Sequence, residues 1–162
     1  MSKVQYINHE LLEMVCGQSA TSQRRRKNYN FHQPADPAQR MLNALEPDSY
    51  VCPHRHSTPP KDEGFLILQG RGAAIVFKDD GKISEIFPLD PSKNLWGVDI
   101  PAGRFHTIVA LASKTVFYEV KPGPYNPLTD KGFAPWAPPE GHPDAIAYHQ
   151  ELIHLVSESG QI

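Results

Sequence analysis

Short apolar runs separated by turn residues dominate the middle of the chain. Runs of this kind, alternating with period two and bounded by glycine, proline, asparagine or aspartate, predict strands rather than helices. An Asp-Gly step at residues 80–81 predicts a tight hairpin between two of them. Many short strands without intervening helices predict an all-β sandwich or barrel. The predicted strands cover residues 39–45, 49–56, 63–70, 73–78, 83–89, 95–100, 106–112 and 115–120.

The N-terminal part of the chain has helical periodicity instead. Residues 8–20 predict a short helix that packs on the outside of the main domain. Asn8 is a suitable N-cap, since its side chain can accept a hydrogen bond from the first turn. The apolar stripe of this helix consists of Leu11, Leu12, Met14 and Val15.

The pattern changes again after the last predicted strand. Proline lacks a backbone donor, so the proline-rich residues 122–141 should not form regular ladders. We expect this segment, the C-terminal wrap, to lie over the surface, anchored by Tyr125, Phe133 and Trp136. Residues 142–157 predict a second helix, with a proline near its start. The chain therefore predicts a single domain over residues 1–162, with its core at about 39–121 and the wrap and helix at about 122–157.

Composition excludes some classes of partner and favours one compartment. A formal net charge of −2 gives no reason to expect nucleic acid or a membrane surface as a partner. No apolar run approaches the roughly 20 residues that span a bilayer, and the start Met1-Ser2-Lys3 does not resemble a signal peptide. Cys16 and Cys52 form no CxxC motif, which predicts free thiols in a cytoplasmic protein; one disulfide is the alternative.

The candidate chemistry centres on His54 and His56. Two histidines separated by one residue lie on the same side of an extended strand. Glu63 follows seven residues later, and His106 begins a predicted strand downstream. Three imidazoles and one carboxylate suit a divalent transition metal, which could be Mn, Fe, Co, Ni or Zn.

Two neighbours of the paired histidines follow from the same alternation. If His54 and His56 face a cavity, Tyr50 and Cys52 should line it as well. Cys52 would then be a redox-sensitive neighbour of the metal, or simply a small buried hydrophobic residue.

Polar and basic residues elsewhere are further candidates for contact with a ligand. Residues 24–27 are four consecutive cations, which could bind phosphate or another anion; a solvated charged surface is the commoner explanation. Behind them, Asn30 and His32 lie in a polar and aromatic stretch. Arg40, on the first predicted core strand, should lie either at the rim or against an anion.

Two segments resemble the paired motifs of the cupin superfamily. Residues 47–70 resemble the first motif, with His54-x-His56, then Glu63, six residues and a glycine. Residues 97–106 resemble the second motif, with Pro-Ala-Gly and then His106. The gap between His56 and Glu63 is longer than is usual in the motif, but the spacing from Glu63 to Gly70 is that of the family.

A closer resemblance, covering about residues 5 to 140, is to the WbuC family of cupin-fold metalloproteins. It implies a double-stranded β-helix, or jelly-roll barrel, with short N- and C-terminal helices. It also implies one divalent metal held by His54, His56, Glu63 and His106, and a context of bacterial surface-polysaccharide metabolism. The segments that carry it are 28–32, 40–45, 53–56, 120–125 and 133–138.

Three classes of function follow from these observations. The first is a metal-dependent enzyme acting on a sugar or related small polar metabolite, as an isomerase or epimerase, a hydrolase, or a dioxygenase if the metal is iron. The second is a non-catalytic module that binds a sugar or an anion. The third is an interaction protein whose histidines only pack. A homodimer is expected by analogy with other cupins.

Overall fold

The computed structural model describes residues 4–159, so the Met1-Ser2-Lys3 start and both ends of the predicted domain lie outside the described residues. In this range, two α-helices flank ten strands, and a short 3₁₀ helix spans Pro91–Lys93. The helices are α1 (His9–Thr21) and α2 (Ala145–Glu158). The strands are β1 (Arg26–Asn30), β2 (Ala38–Leu45), β3 (His54–Arg55), β4 (Glu63–Gln69), β5 (Gly72–Phe77), β6 (Ile83–Leu89), β7 (Gly97–Ile100), β8 (Phe105–Ala110), β9 (Thr115–Pro122) and β10 (Gly132–Phe133).

The strands form two five-stranded antiparallel sheets, which confirms the all-β prediction. The first sheet has the order β1-β2-β9-β4-β7, and the second has the order β10-β3-β8-β5-β6. Apolar residues on their facing sides form the inner core. Alternation along each strand places these residues inside, and Phe117 is completely buried among them. The inner core includes Leu45, Phe65, Ile67, Ala74, Ile108, Ala110 and Phe117.

Helix α1 covers the outer face of the first sheet, as the apolar stripe predicted. The Asn8 side chain caps the helix by accepting a hydrogen bond from the Leu11 backbone N–H at 3.0 Å. Val15 and Cys16 pack against the outward-facing residues of β2 and β9. The inward-facing residues of the same strands are thereby left to the space between the sheets.

The C-terminal wrap and α2 cover the outer face of the second sheet. Leu152 and Val156 of α2 pack there in an outer core together with Ile75 and Val109. Trp136 anchors the wrap as predicted, with its ring centroid 5.0 Å from that of Phe77. The other two predicted anchors, Tyr125 and Phe133, are exposed instead.

Three strand predictions are corrected by the structure. The wrap contains β10, which pairs with β3, because two residues without proline suffice for a short ladder. The predicted strand 49–56 is reduced to β3, since Pro53 cannot donate to a ladder. Strand β1 was not predicted, because its polar sequence carries no apolar alternation; it pairs with β2 with Asn28 opposite Asn43.

Both cysteines, Cys16 and Cys52, are buried and free, as predicted. Burial raises the pKa of the Cys16 thiol to about 11. Neither α1 nor α2 combines the length and the apolar character that crossing a membrane would require.

Candidate metal centre

The two sheets bring His54, His56, Glu63 and His106 together at one end of the barrel. His54 on β3 lies directly opposite His106 on β8, and His56 follows two residues after His54. Glu63 is the first residue of β4 in the other sheet. All four side chains are buried, and one potential ligand atom from each lies within 4.8 Å of the others.

The three imidazoles are oriented by backbone carbonyl groups. His54 Nδ1 lies 3.1 Å from the Cys52 oxygen, and His106 Nδ1 lies 2.9 Å from the Arg104 oxygen. His56 Nδ1 is hydrogen-bonded to the Asp130 oxygen. A carbonyl oxygen can only accept, so in its neutral form each of these histidines carries the proton on Nδ1 and keeps a lone pair on Nε2. This is the usual arrangement of histidines that bind a metal through Nε2.

The free lone pairs converge on the Glu63 carboxylate. Glu63 Oε2 lies 2.7 Å from His106 Nε2 and 3.2 Å from His56 Nε2. Among the described residues, the buried Nε2 atoms of His54 and His56 have no hydrogen-bond partner. Lone pairs and a carboxylate at these distances repel one another unless a proton or a cation lies between them. The donor set therefore fits a divalent metal ion.

The ionisation of the cluster is consistent with metal ligation. Burial holds the pKa of His54 well below its usual value, and the charge of Lys131 acts in the same direction, so His54 is neutral. Burial alone would raise the pKa of Glu63. The close approach of His106 and His56 and the charge of Lys121 outweigh it and hold that pKa well below the usual value. Neutral imidazoles and an ionised carboxylate are the forms that bind metal.

A buried charge network supports Glu63 from the other side. Lys121 Nζ lies 3.0 Å from Glu63 Oε1 and 2.8 Å from Glu119 Oε1. Asn43 donates a hydrogen bond to Glu119 Oε2 at 2.5 Å. Asp130 is bound by Lys61 at 2.7 Å and lies 3.6 Å from Lys121. These groups keep Glu63 ionised and fix its orientation.

Sequence reasoning missed this network, although part of it left a signal. In residues 115–122, alternate side chains point to the same face of the strand, and one such set is Phe117, Glu119 and Lys121. Two charged residues therefore lie on the same face as an apolar core residue. Charged side chains on a core-facing row are almost always paired or functional. Asp130 and Lys61 lie in loops and carry no such signal.

The cluster lies at the base of an open cavity of about 500 Å³. His54, Glu63 and His106 line it, whereas His56 is buried behind them. Asn30 and His32, which were predicted to contact a ligand, line it as well. His32 is held in place because its Nδ1 accepts a hydrogen bond from the Arg40 backbone N–H at 3.0 Å.

Arg40 and Tyr50 do not reach this cavity. Arg40 lies on the outer face of β2, because Met41 and Asn43 occupy the inner face, and its guanidinium donates to the Phe31 oxygen at 3.3 Å. Tyr50 packs against the outer core and donates its hydroxyl to the Pro138 oxygen at 2.7 Å.

Cys52 touches the cavity but packs in the outer core, so its environment is that of a small hydrophobic residue. The predicted alternation fails between Cys52 and His54, since residues 50–53 are not a regular strand. Burial raises the pKa of the Cys52 thiol, which is the opposite of activation.

Comparisons with known proteins agree with this architecture. The model of the family described as "Domain of unknown function (DUF6016)" matches residues 7–89. No curated protein matches the chain. A crystal structure of CapF with the inhibitor 3-isopropenyl-tropolone is 27% identical, with a TM-score of 0.58, over 70% of this chain and 32% of that chain.

Two further solved structures share the fold. CapF, described as a capsular polysaccharide assembling protein from Staphylococcus aureus, is 27% identical, with a TM-score of 0.54, over 65% of this chain and 28% of that chain. The conserved SPY1581 protein of unknown function from Streptococcus pyogenes is 13% identical, with a TM-score of 0.52, over 78% of this chain and 93% of that chain. The chain thus spans about a third of the CapF chains that it matches. Its fold is a cupin jelly roll.

Proposed function

We propose that this chain, which belongs to the family described as "Domain of unknown function (DUF6016)", is a cupin that binds one divalent transition metal and uses it to act on a small polar ligand. The observation that carries the proposal is the convergence of three lone-pair Nε2 atoms and one ionised carboxylate in a buried cluster. The proposed ligands are His54, His56, Glu63 and His106. The metal could be Zn, Mn, Fe, Ni or Co, since this donor set suits each of them.

The cavity supports a sugar or a related metabolite as the ligand. Its volume of about 500 Å³ is within the range of small-molecule sites. Asn28 and Asn30 line the cavity with polar side chains, and Phe65 and Ile108 line it with apolar side chains. Gln39 is buried in the same cavity, and its Nε2 has no hydrogen-bond partner in the described part of the chain. That amide is a donor for a ligand oxygen.

The biological context of the proposal is bacterial surface-polysaccharide metabolism in the cytoplasm. It is supported by the likeness to CapF, a capsular polysaccharide assembling protein, and by the WbuC-like segments of the sequence. We propose a WbuC-like role for the chain in that setting.

A metal in this cluster would supply a Lewis acid that polarises a carbonyl or hydroxyl group of the ligand. The protein itself buries the side chains of the cluster and keeps Glu63 ionised through Lys121. An isomerase or epimerase, a hydrolase or a dioxygenase could each use such a site. The alternative is a non-catalytic sugar- or anion-binding module, which the arginines that line the cavity favour. Turnover of sugars and sugar acids by metal-loaded protein, measured by product analysis, separates the two.

The first test of the proposal is metal content. We expect untagged protein purified from the cytoplasm to contain about one transition metal ion per chain, by mass spectrometry. Removal with a chelator should lower Tm, because a metal that binds only the folded state stabilises it. Protein that takes up no ion after supply of each of the five metals would contradict the proposal.

A homodimer is also part of the proposal. The outer face of β4 and β9 exposes Leu66 and Val120, and Trp96 beside β7 is 56% exposed. Exposed apolar side chains on neighbouring strands of this kind are found at protein interfaces. We expect light scattering to give twice the chain mass of 18.1 kDa, and the Trp96→Glu variant to give one chain mass. A wild-type monomer at high concentration would contradict this part.

A further inference from the structure

The cavity that contains the proposed metal centre has a basic side. Arg24, Arg26 and Lys27 line it, at the start of the unpredicted strand β1. The Arg24 side chain is 63% exposed and the Arg26 side chain is 11% exposed. The basic run is thus divided: Arg25 pairs with Asp48 outside this cavity, whereas its neighbours on both sides line the cavity.

One carboxylate, that of Glu140, occupies both arginines of the cavity. Arg24 donates two hydrogen bonds to this carboxylate, from Nε to Oε2 and from Nη2 to Oε1, each 3.0 Å long. Arg26 Nη2 donates to Oε1 as well. The pairing of Arg24 with Glu140 is bidentate, which is also the geometry in which arginine binds the carboxylate or phosphate of a ligand. Two guanidinium groups share one negative charge, so the cavity keeps a surplus of positive charge here.

Of the three residues Arg24, Arg26 and Glu140, Glu140 is the one that a ligand could replace. It belongs to the C-terminal wrap, is partly exposed and precedes Gly141, whose φ of +82° marks a turn. Arg26, in contrast, is fixed by a second hydrogen bond from its Nη1 to the Tyr50 oxygen at 2.8 Å. Because Arg26 is largely buried, leaving it without an anion would cost free energy. Whatever displaces Glu140 must therefore be negatively charged.

There is room for the displaced side chain. A second groove of about 900 Å³ lies between the basic segment and the start of α2. Arg24, Arg26 and Glu140 line this groove as well as the metal cavity, so they form the wall between the two. Rotation of the Glu140 carboxylate towards the groove would open the arginine pair to the cavity.

We propose that Arg24 and Arg26 form an anion subsite of the cavity, which Glu140 fills as an internal carboxylate until the phosphate or carboxylate group of a ligand displaces it. The proposal rests on the proposed function in that the remainder of the ligand would reach the His-Glu cluster. It narrows the ligand class to sugar phosphates and sugar acids, and it makes Glu140 a selectivity element against neutral sugars.

The test measures binding of inorganic phosphate, by NMR titration at constant ionic strength, to the full chain. In the wild type, phosphate can bind only to those molecules in which Glu140 has left the subsite. The apparent Kd is therefore the intrinsic Kd divided by the fraction of molecules whose subsite is free. We expect Glu140→Gln to lower the Kd for phosphate about tenfold, which corresponds to a subsite free in about a tenth of wild-type molecules. Adding Arg24→Gln to that variant should remove the gain.

The matched control is Asp48→Asn, which frees Arg25 outside the cavity. If any freed arginine binds phosphate equally well, this variant will gain as much as Glu140→Gln, and the proposal fails. It fails equally if Glu140→Gln gains nothing. The titration is repeated on chelator-treated protein: a gain that persists there supports the anion subsite even if no metal binds, whereas metal binding without a gain overturns the subsite alone.

Discussion

Replacing His106 with alanine should lower the metal affinity by more than about 100-fold. Loss of a residue that only hydrogen-bonds to a metal ligand typically costs about 10- to 100-fold, and loss of a ligand itself should cost more. His106 supplies the nitrogen that lies 2.7 Å from Glu63 Oε2, so its removal opens the centre of the cluster. The fold should persist, because the pairing of His106 with His54 on β3 is made by the backbone. Metal content after dialysis, competition with a chromophoric chelator and circular dichroism measure the three expectations.

His154→Ala is the matched control for this variant. His154 lies on α2 with 67% of its side chain exposed, far from the cluster in sequence and on the outside of the second sheet. The control should retain the wild-type metal content. Equal metal in the His106→Ala protein and the control would show that the cluster is not the metal site.

Replacing Lys121 with methionine should destabilise the metal-free protein by about 3–5 kcal/mol at neutral pH, the usual cost of breaking a buried ion pair. Lys121 Nζ lies 3.0 Å from Glu63, 2.8 Å from Glu119 and 3.6 Å from Asp130. Without it, three buried carboxylates lose a shared cation. Urea unfolding of chelator-treated wild type and variant measures the difference in the free energy of unfolding.

The cost should shrink as the pH falls. Burial and the charge of Glu63 raise the pKa of Glu119 above its usual value of 4.5. As the pH falls, Glu119 therefore takes up a proton earlier than an exposed glutamate does. This protonation relieves the repulsion between the carboxylates in the variant. In the wild type the pKa of Glu63 is lowered, so its contribution to stability is present above pH 4.5 and is lost on acidification. Wild type and variant should therefore become more similar in stability towards acid pH.

Lys82→Met is the control for loss of a lysine. Lys82 is exposed in the turn between β5 and β6 and lies 3.4 Å from Asp80, so its loss should change stability little. If Lys121→Met unfolds at the same urea concentration as this control, the buried network does not contribute as described.

The sequence predicts the fold class and the metal cluster because both depend on local spacing. A strand places His54 and His56 on one side whatever surrounds it, and the resemblance of the spacing from Glu63 to Gly70 to the cupin motif singles out the carboxylate. Apolar alternation likewise locates most core strands. The cluster is therefore readable from a few short segments.

The rest of the site depends on contacts that alternation does not encode. Tyr50 and Cys52 were predicted to share the cavity with His54. Tyr50 lies against the outer core instead, because the backbone through Pro53 is irregular, whereas Cys52 packs in that core and still touches the cavity. Arg40 was predicted as a rim or anion contact, and the register of β2 turns it away from the cavity. Asp130 meets His56 across 74 residues of sequence, in a loop without periodicity.

The contact between Asp130 and His56 links the cluster to the C-terminal wrap. His54, His56 and Glu63 are synthesised early, yet the carbonyl that orients His56 and the strand that pairs with β3 both come from the C-terminal wrap. A nascent chain on the ribosome carries all four residues of the cluster before it carries the carbonyl group that orients His56. His56 can take its final orientation only after translation has passed Asp130, so the geometry of the cluster is completed late in synthesis.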